Sequence, residues 1–354
     1  MAETAILKGK NIKNIRQLSL HDLENFFETI GEKKFRAHQV WEWLWKKHAL
    51  SFADMTNISK ELRQKLGDNF TLPALSVDAT QHSSDGTLKS RFRTHEGHLC
   101  EGVLIPTENR YTACVSSQIG CSLSCKFCAT GYIDRKRNLD FDEIYDEVVL
   151  INAQSEKVYG KKLSNIVFMG MGEPLLNYKN VLKAIERISA EDGLSMSPKR
   201  ITVSTAGVAK QIRQLGDDKV RFKLALSLHA ANDKKRNEIM PINESNNLKA
   251  IIDALNHFYR QTKNEITLEY ILFNNFNDSK QDADDLIKIY RQVPADLVNI
   301  IEYNPIDFAR FEKPSEEKVE QFMNYLAKHK VNARLRRSRG KDIDAACGQL
   351  ANKN

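Results

Sequence analysis

From residue 111 to residue 329, short apolar runs alternate six times with stretches of helical periodicity. Repeated strand–helix units favour a parallel sheet joined by right-handed crossovers. The sequence therefore predicts an α/β fold whose sheet curves into a partial (βα)6 barrel of the TIM type. The predicted strands are 111–116, 164–169, 200–204, 221–228, 266–273 and 297–303, and the predicted helices are 140–155, 178–190, 208–215, 247–260, 279–291 and 315–329.

The unusual residues of this region fall where the predicted strands end. The carboxyl ends of parallel barrel strands carry the functional residues, so this end of the barrel is the predicted site. Taken alone, Gly172-Glu173-Pro174 is also an ordinary turn and His229 an ordinary core histidine. A cysteine cluster follows the first strand, and the later strands end at Gly170–Pro174, Ser204-Thr205, Ser227-Leu228-His229 and Asn304-Pro305.

Three of the six cysteines, Cys121, Cys125 and Cys128, lie within eight residues with the spacing Cys-x3-Cys-x2-Cys. Thiolates this close cannot all form disulfides, and one loop can direct all three to a soft metal or an iron–sulfur cluster. A 4Fe–4S cluster with three thiolates keeps one iron free for the amino and carboxylate groups of a small molecule. A zinc knuckle, completed by Cys114 or a more distant residue, remains the alternative because structural zinc takes four ligands.

The N-terminal part of the chain predicts a small helical domain. Ser19-Leu-His-Asp22 is a capping box before the first helix, and further helices are predicted at about 36–47 and 59–66. Trp41 and Trp45 share one face of the second helix and are expected in the core, whereas an exposed Trp or Lys that contacts RNA is the alternative.

A change of pattern after Pro73 predicts a β-hairpin. Ser84-Asp85-Gly86 is a turn signal between strands 75–81 and 87–93. The predicted organisation is thus a helical, RNA-binding accessory domain (1–75), a linking β-hairpin (76–106), a core barrel (107–340) and a C-terminal tail (341–354).

Charge and composition limit the partners and the compartment. Lys and Arg number 53 against 46 Asp and Glu, a net charge of +7. Six cysteines in 354 residues are too few for a disulfide scaffold. The first ten residues lack a signal peptide's apolar core and no apolar run is of membrane-spanning length, so a cytoplasmic location without membrane contact is expected. Basic clusters on separate segments suit RNA: Lys33-Lys34, Lys46-Lys47, Arg135–Arg137 and Arg334–Lys341.

The cysteine motif, with Phe127 before its last cysteine, resembles that of the radical S-adenosylmethionine (SAM) enzymes. Longer segments resemble one family among them, the RlmN/Cfr RNA adenosine methyltransferases. The resemblance covers nearly the whole chain, including Phe35–Trp41. Its main segments are Cys-Val-Ser-Ser-Gln-Ile-Gly-Cys (114–121), Met-Gly-Met-Gly-Glu-Pro-Leu-Leu-Asn (169–177), Leu-Ser-Leu-His (226–229), Met-Pro-Ile-Asn (240–243), Tyr-Asn-Pro (303–305) and Asp-Ile-Asp-Ala-Ala-Cys-Gly-Gln-Leu (342–350).

The resemblance implies one 4Fe–4S cluster held by Cys121, Cys125 and Cys128, and two SAM molecules per turnover. The implied partners are 23S rRNA in the peptidyl-transferase region, the tRNA adenosine 3′ of the anticodon, and an electron donor such as flavodoxin, with the enzyme a monomer. The implied SAM contacts are Gly172, Glu173, Ser204, Ser227, Leu228, His229 and Asn304.

The resemblance also implies roles for two distant thiols and one carboxylate. Cys347 accepts a methyl group from one SAM, a radical made from the second SAM removes a hydrogen from it, and the carbon adds to adenine. Glu101 accepts the ring proton, and Cys114 attacks the Cys347 sulfur to release RNA and leave a disulfide. Cys100 matches no function of the family. Residues 35–47, 55–59 and 172–174 resemble the RlmN branch, which acts at carbon 2, more than the Cfr branch, which acts at carbon 8.

Overall fold

The computed structural model describes residues 13–353, so the ten N-terminal residues assessed for a signal peptide lie outside the described residues, as does Asn354 at the end of the predicted tail. The chain divides into two compact units. One comprises Met1–Leu75 and Glu186–Met196, and the other comprises Ser76–Ile185 and Ser197–Asn354. Between residues 13 and 353, none of the helices combines the length and the apolar character needed to span a bilayer.

Within residues 13–75, the first unit contains three α-helices and a short two-stranded parallel sheet. The predicted capping box is confirmed, because the Asp22 N–H donates to Ser19 Oγ and the Ser19 N–H donates to the Asp22 carboxylate, each at 3.1 Å. The elements are β1 (Lys13–Asn14), α1 (Leu20–Thr29), α2 (Lys34–Trp45), α3 (Lys60–Asn69) and β2 (Phe70–Thr71).

Trp41 and Trp45, on one face of α2, are buried to different degrees. Trp45 is fully buried, as predicted, whereas Trp41 is partly buried and donates through Nε1 to Asp192 at 2.6 Å. The Arg187 guanidinium lies 5.2 Å from the ring centroids of both tryptophans, within cation–π range. Residues 186–196 therefore complete the core of the first unit, which the sequence did not predict.

The second unit contains a ten-stranded sheet in the spatial order β14-β13-β12-β11-β10-β9-β6-β5-β4-β3, and β7 and β8 form a separate ribbon. Within the ten-stranded sheet, neighbouring strands are parallel from β14 across to β6, and they are antiparallel from β6 across to β3. The strands are β3 (Ser76–His82), β4 (Leu88–Arg93), β5 (Leu99–Thr107), β6 (Arg110–Cys114), β7 (Gln118–Ile119), β8 (Arg137–Asn138), β9 (Asn165–Phe168), β10 (Ile201–Thr205), β11 (Lys223–Ser227), β12 (Ile266–Leu272), β13 (Leu297–Glu302) and β14 (Ala333–Arg336).

Helices connect the parallel strands, as the alternation of apolar runs predicts. The six predicted helices of this region are all present, and α7 is an additional one with no apolar periodicity to reveal it. The helices are α4 (Phe141–Tyr159), α5 (Tyr178–Ser189), α6 (Ala209–Asp217), α7 (Asp233–Ile239), α8 (Leu248–Thr262), α9 (Lys280–Gln292) and α10 (Glu316–Lys328).

The predicted class of fold is confirmed, with one parallel strand more than the six predicted. That strand, β14, pairs with β13 at the edge of the sheet. Its sequence Ala-Arg-Leu-Arg lacks the apolar run by which buried strands are recognised. Among the described strands β3 and β14 do not pair with each other, so the barrel is open. The predicted hairpin, β3 with β4, continues the barrel sheet through β5.

Candidate active site

One cavity brings together residues that are far apart in the sequence, at the carboxyl ends of the parallel strands. Leu228 is fully buried beside it, and Asn304 Nδ2 donates to the Cys347 carbonyl at 3.2 Å. Within the described chain, Cys114 and Glu101 are not among its lining residues. The predicted site residues that line it are Cys121, Cys125, Cys128, Gly172, Glu173, Ser204, Ser227, His229 and Cys347.

The cysteine loop is held by its single aromatic residue. Phe127 is 7% exposed, and its ring meets the His229 ring edge-on with centroids 4.8 Å apart. The Lys126 N–H donates to the Ile239 carbonyl at 3.0 Å. A Cβ at Gly131 would approach the Cys125 carbonyl to 2.7 Å, so only glycine lets the chain return this closely. The packing of Phe127 and the close approach of Gly131 to Cys125 thus fix the loop that carries the three thiols.

The three thiols suit a cluster. Burial raises the pKa of each, that of Cys121 to about 11, so a proton leaves only when a metal replaces it. In residues 13–353 no three His, Cys, Asp or Glu side chains converge as ligands of a single metal ion. In a 4Fe–4S cluster each thiolate binds a different iron, and the three cysteines line one cavity.

Gly172 and Glu173 form a rigid wall of the cavity. Gly172 has a φ of +92°, and a Cβ there would lie 2.5 Å from the Gln118 side chain. The Glu173 carboxylate is buried and accepts the N–H groups of Leu175 and Ala206 at 3.0 and 2.7 Å. Burial raises the pKa of Glu173 while these hydrogen bonds oppose the rise. The carboxylate is therefore fixed in place by backbone donors from two strand ends.

His229 lines the cavity as a neutral side chain. Its Nδ1 accepts the Ile271 N–H at 3.1 Å, which leaves Nε2 to carry the proton. Burial lowers its pKa to about 3. Close by, the Ser204 and Ser227 hydroxyl oxygens lie 3.3 Å apart. The cavity wall therefore offers hydrogen-bonding groups without positive charge at this position.

The C-terminal tail folds back onto the cysteine loop. The Ala129 N–H donates to the Gly348 carbonyl and the Thr130 hydroxyl donates to the Leu350 carbonyl, each at 2.7 Å. These bonds hold the residues just after Cys347, and Cys347 lines the cavity with the three cysteines. Thr130 is a residue that sequence reasoning missed, because its partner lies 220 positions away.

Glu101 holds the same tail from the sheet side. Its carboxylate is 1% exposed, and Oε2 accepts the N–H groups of Ala351 and Asn352 at 2.9 and 3.1 Å. Oε1 lies 3.8 Å from Nζ of the buried Lys89. The structure thus shows Glu101 as an anchor of the tail. Cys100, which precedes it, is fully buried, and burial raises its thiol pKa.

Cys114 and Cys347 are electrostatically coupled, and both are free thiols. Burial raises the pKa of Cys114, the charge of Cys347 raises it further, and the Arg336 guanidinium lowers it. The charge of Cys347 is in turn the main cause that raises the pKa of Arg336. Arg336 also lies 3.6 Å from the Glu269 carboxylate and lines the cavity. The Arg336 cation therefore interacts electrostatically with both thiols.

This position of Arg336 revises the interpretation of residues 334–341 as a basic surface for RNA. Arg334 donates to Asn299 at 2.8 Å and Lys341 pairs with the buried Glu302 carboxylate at 2.5 Å, whereas Arg337 and Glu316 form only an exposed pair at 3.5 Å. Part of the charge of this run is neutralised within the second unit. A run of basic residues in sequence does not reveal which of them point inward.

The fold and cavity agree with what the comparisons with known proteins show. Residues 115–287 match the family model of the radical SAM superfamily, and residues 13–72 match that of the ribosomal RNA large subunit methyltransferase N-terminal domain. The crystal structure of a radical SAM methyltransferase from Sphaerobacter thermophilus matches with a TM-score of 0.90 and 36% identity, over 96% of this chain and 99% of that chain. A parallel βα sheet with a three-cysteine cavity at its carboxyl end is the architecture of a radical SAM enzyme.

Curated relatives show which family of radical SAM enzymes this chain belongs to. The chain is 57% identical over 339 residues to the "Probable dual-specificity RNA methyltransferase RlmN" of Cytophaga hutchinsonii. The aligned region covers 96% of this chain and 93% of that protein. The chain is 53% identical over 341 residues to the protein of the same name from Flavobacterium psychrophilum, over 96% and 98% of the two chains. The chain therefore belongs to the RlmN family of radical SAM methyltransferases. This membership implies SAM and a 4Fe–4S cluster as cofactors, and it sets aside the zinc-containing alternative without catalysis.

Proposed function

We propose that this protein methylates carbon 2 of adenosine in 23S rRNA, in the peptidyl-transferase region, and in tRNA, 3′ of the anticodon. The relatives are named dual-specificity RNA methyltransferases, which supports RNA as the substrate and supports action on two kinds of RNA. The observation that carries the chemistry is the position of Cys347, which lines one cavity with the three cysteines and whose charge raises the pKa of Cys114. Adenine carbon 2 is not a nucleophile, so a protein thiol that first accepts the methyl group explains why the tail is held there.

Different cysteines carry out different steps of the proposed reaction. Cys121, Cys125 and Cys128 would hold the cluster, which would supply the electron that converts one SAM into a 5′-deoxyadenosyl radical, while the other SAM would supply the methyl group. Cys347 accepts the methyl group, loses one of its hydrogens to the radical, and bonds through this carbon to adenine; loss of the unpaired electron and of the ring proton leaves protein and RNA joined covalently. The Cys114 thiolate attacks the Cys347 sulfur, so the carbon–sulfur bond breaks, its electron pair takes up a proton to complete the methyl group, methylated RNA leaves and a disulfide remains.

Glu101 is the proposed acceptor of the proton that leaves carbon 2. In the present state Oε2 is occupied by the two tail N–H groups, so proton transfer requires the tail to loosen or the carboxylate to turn. Anchoring the tail and accepting the proton are then successive tasks of one side chain. A step that loosens the tail also lets Cys347 follow the adenine during release.

The remaining parts of the proposal concern cofactors and partners. Two SAM molecules are consumed in each turnover, one as methyl donor and one as radical source. A flavodoxin-like protein donates the electron, and the enzyme acts as a monomer. Gly172, Glu173, Ser204 and their neighbours around the cavity contact SAM. Methylation at carbon 2 rather than carbon 8 is favoured by the RlmN name that the relatives share.

The test separates the two thiols. Cys114→Ala leaves methyl transfer and addition to adenine intact but removes the attacking thiol, so the variant should accumulate protein covalently bound to RNA. Cys347→Ala should carry no methyl group and form no adduct. Cys100→Ala serves as a control because that thiol is buried away from the cavity. A nuclease-sensitive shift on a denaturing gel detects the adduct, and mass spectrometry of the nucleosides distinguishes 2-methyladenosine from 8-methyladenosine. Normal turnover by either active-site variant contradicts the two-thiol mechanism.

A further inference from the structure

Two aromatic side chains lie stacked on each other and exposed near the cavity. Tyr132 is 47% and Phe308 58% exposed, and their ring centroids are 5.1 Å apart with 27° between the planes. The Tyr132 hydroxyl donates to the Lys126 carbonyl at 3.1 Å, which fixes this ring. Neither ring belongs to the buried core of the second unit. Exposed, prearranged aromatic pairs are uncommon because burying them would stabilise the fold.

Both rings come from loops that also build the active site. Tyr132 lies four residues after Cys128, so their Cα atoms are at most about 14 Å apart. Phe308 lies four residues after Asn304, whose side chain binds the Cys347 carbonyl. Both rings therefore lie on loops that hold the tail segment carrying Cys347, which the proposed reaction joins to adenine. One face of each ring contacts the other ring, and among the described aromatic contacts neither ring has another aromatic partner.

Exposed cations lie on both loops, and acidic residues lie among them. Asp134 and Glu312 are exposed, and Asp307 is paired with Lys353 at 2.7 Å. A phosphodiester chain that passed over the rings would meet cations on both loops. The exposed cations are Lys126, Arg135, Lys136 and Arg310.

We propose that Tyr132 and Phe308 form a stacking platform for an unpaired nucleobase that neighbours the target adenosine. The proposal rests on the proposed function, since it requires an RNA substrate. An adenine that enters a cavity must leave its stack, and its neighbour then loses a stacking partner. An aromatic ring restores that contact for any base, and the surrounding cations bind the phosphates. The platform would thus hold the opened loop while the chemistry proceeds.

The test uses the reconstituted full-length enzyme and a stem-loop RNA whose loop carries the target adenosine. Tyr132→Ala and Phe308→Ala should each weaken the Kd for this RNA by about fivefold or more, since one base–aromatic stack contributes that much. Tyr132→Phe keeps the ring and loses only the hydroxyl bond to Lys126, so it should retain most of the wild-type affinity. Tyr259→Ala is the matched control, because Tyr259 lies near the C-terminal end of α8 and so at the opposite end of the sheet. SAM cleavage without RNA should be equal in all variants.

Abasic substitution at each loop nucleotide identifies the stacked base. At one position next to the adenosine, loss of the base should weaken binding to wild type but not to the Tyr132→Ala/Phe308→Ala double variant. Equal RNA binding by wild type and double variant overturns the platform. The platform is also overturned if the double variant methylates the free stem-loop normally and loses methylation only on ribosomal particles. That result would indicate that the two rings contact a protein. If wild type cleaves SAM but methylates no RNA, the proposed function itself fails, which is a different result.

Discussion

The six cysteines differ in their chemistry because their surroundings differ. Cys100 is fully buried in β5, where a thiol acts as a small apolar group. The three cysteines of the motif line the cavity, and Cys347 reaches it from the tail. Cys114 lies behind them, at the end of β6 and within the field of Arg336. Spacing along the chain identified the cluster ligands, but only folding brings Cys114 and Cys347, which are 347 − 114 = 233 residues apart, together.

The first prediction concerns the cluster ligands. Cys121→Ala, Cys125→Ala or Cys128→Ala should each abolish retention of a 4Fe–4S cluster, since two thiolates do not replace three. Circular dichroism should show a folded protein, because these side chains contribute little to the core. Iron and sulfide analysis after anaerobic reconstitution is the measurement, with Cys100→Ala as the variant that keeps full iron. A full complement of iron in any of the three variants would refute the assignment.

The second prediction concerns Arg336. Its charge lowers the pKa of Cys114, so Arg336→Gln should raise that pKa. A higher pKa means less thiolate at a given pH, and the release of RNA from Cys347 should shift to higher pH. Arg336→Lys keeps the charge and should restore most of the original profile. The rate at which the covalent adduct decays, measured from pH 6 to pH 10, reports the shift. An unchanged profile in Arg336→Gln would show that this cation does not act on the thiols.

At the scale of elements, the β3–β4 hairpin proves to be a support for the tail as well as an extension of the sheet. The Gly340 N–H donates to the Asp85 carboxylate at 2.9 Å. In the other direction, the Ser83 hydroxyl and the Ser84 N–H donate to the Asp342 carboxylate at 2.5 and 3.0 Å. These reciprocal bonds join the hairpin turn to the segment that leads to Cys347.

A third prediction follows from this clamp. Asp85→Ala or Asp342→Ala removes charged acceptors that contribute on the order of 1 kcal/mol each. Residues 341–353 should therefore exchange their amide hydrogens faster, and methylation of RNA should slow, while cluster content is unchanged. Hydrogen exchange followed by mass spectrometry measures the first effect. Glu108→Ala, in the exposed β5–β6 turn of the same sheet, is the control. Unaltered exchange in the tail would mean that the Glu101 and Thr130 contacts suffice alone.

Elements with a local pattern were predictable, and those defined by distant partners were not. Apolar runs revealed β9 to β13, and the Ser-Asp-Gly turn revealed the hairpin. The arginines of β14 concealed an edge strand. Glu101 was singled out by resemblance, yet its bonds to Ala351 and Asn352 span about 250 residues and leave no sequence pattern. The outward orientation of Tyr132 and Phe308 was equally hidden, because aromatic residues in loops more often pack inward.

For the whole molecule, the distribution of charge decides how RNA binding depends on salt. The net charge of +7 is modest, and many Lys and Arg side chains pair with carboxylates within the fold. In the first unit Lys33, Lys34, Lys46 and Lys47 are all exposed. Lys34 lies 3.2 Å from Glu28 and Lys47 3.4 Å from Glu42, but exposed pairs of this kind contribute little. All four cations are therefore available to phosphates.

The last prediction tests this surface by charge reversal. Deleting residues 1–75 would expose the part of that unit's core supplied by Glu186–Met196, so substitution is the cleaner experiment. Lys33→Glu/Lys46→Glu should weaken RNA binding and reduce the slope of log K against log salt by about 0.7–0.9 for each phosphate that the protein no longer neutralises.

Lys161→Glu/Lys162→Glu is the matched control, because both lysines are exposed just after α4, at the end of the sheet away from the cavity. The two double variants change the net charge equally, so a general field effect would alter both slopes alike. Fluorescence anisotropy across a series of KCl concentrations measures the slopes. If the slope is smaller only for Lys33→Glu/Lys46→Glu, the first unit binds RNA phosphates. Equal slopes for both variants would show that Lys33 and Lys46 are solvated residues that do not contact RNA.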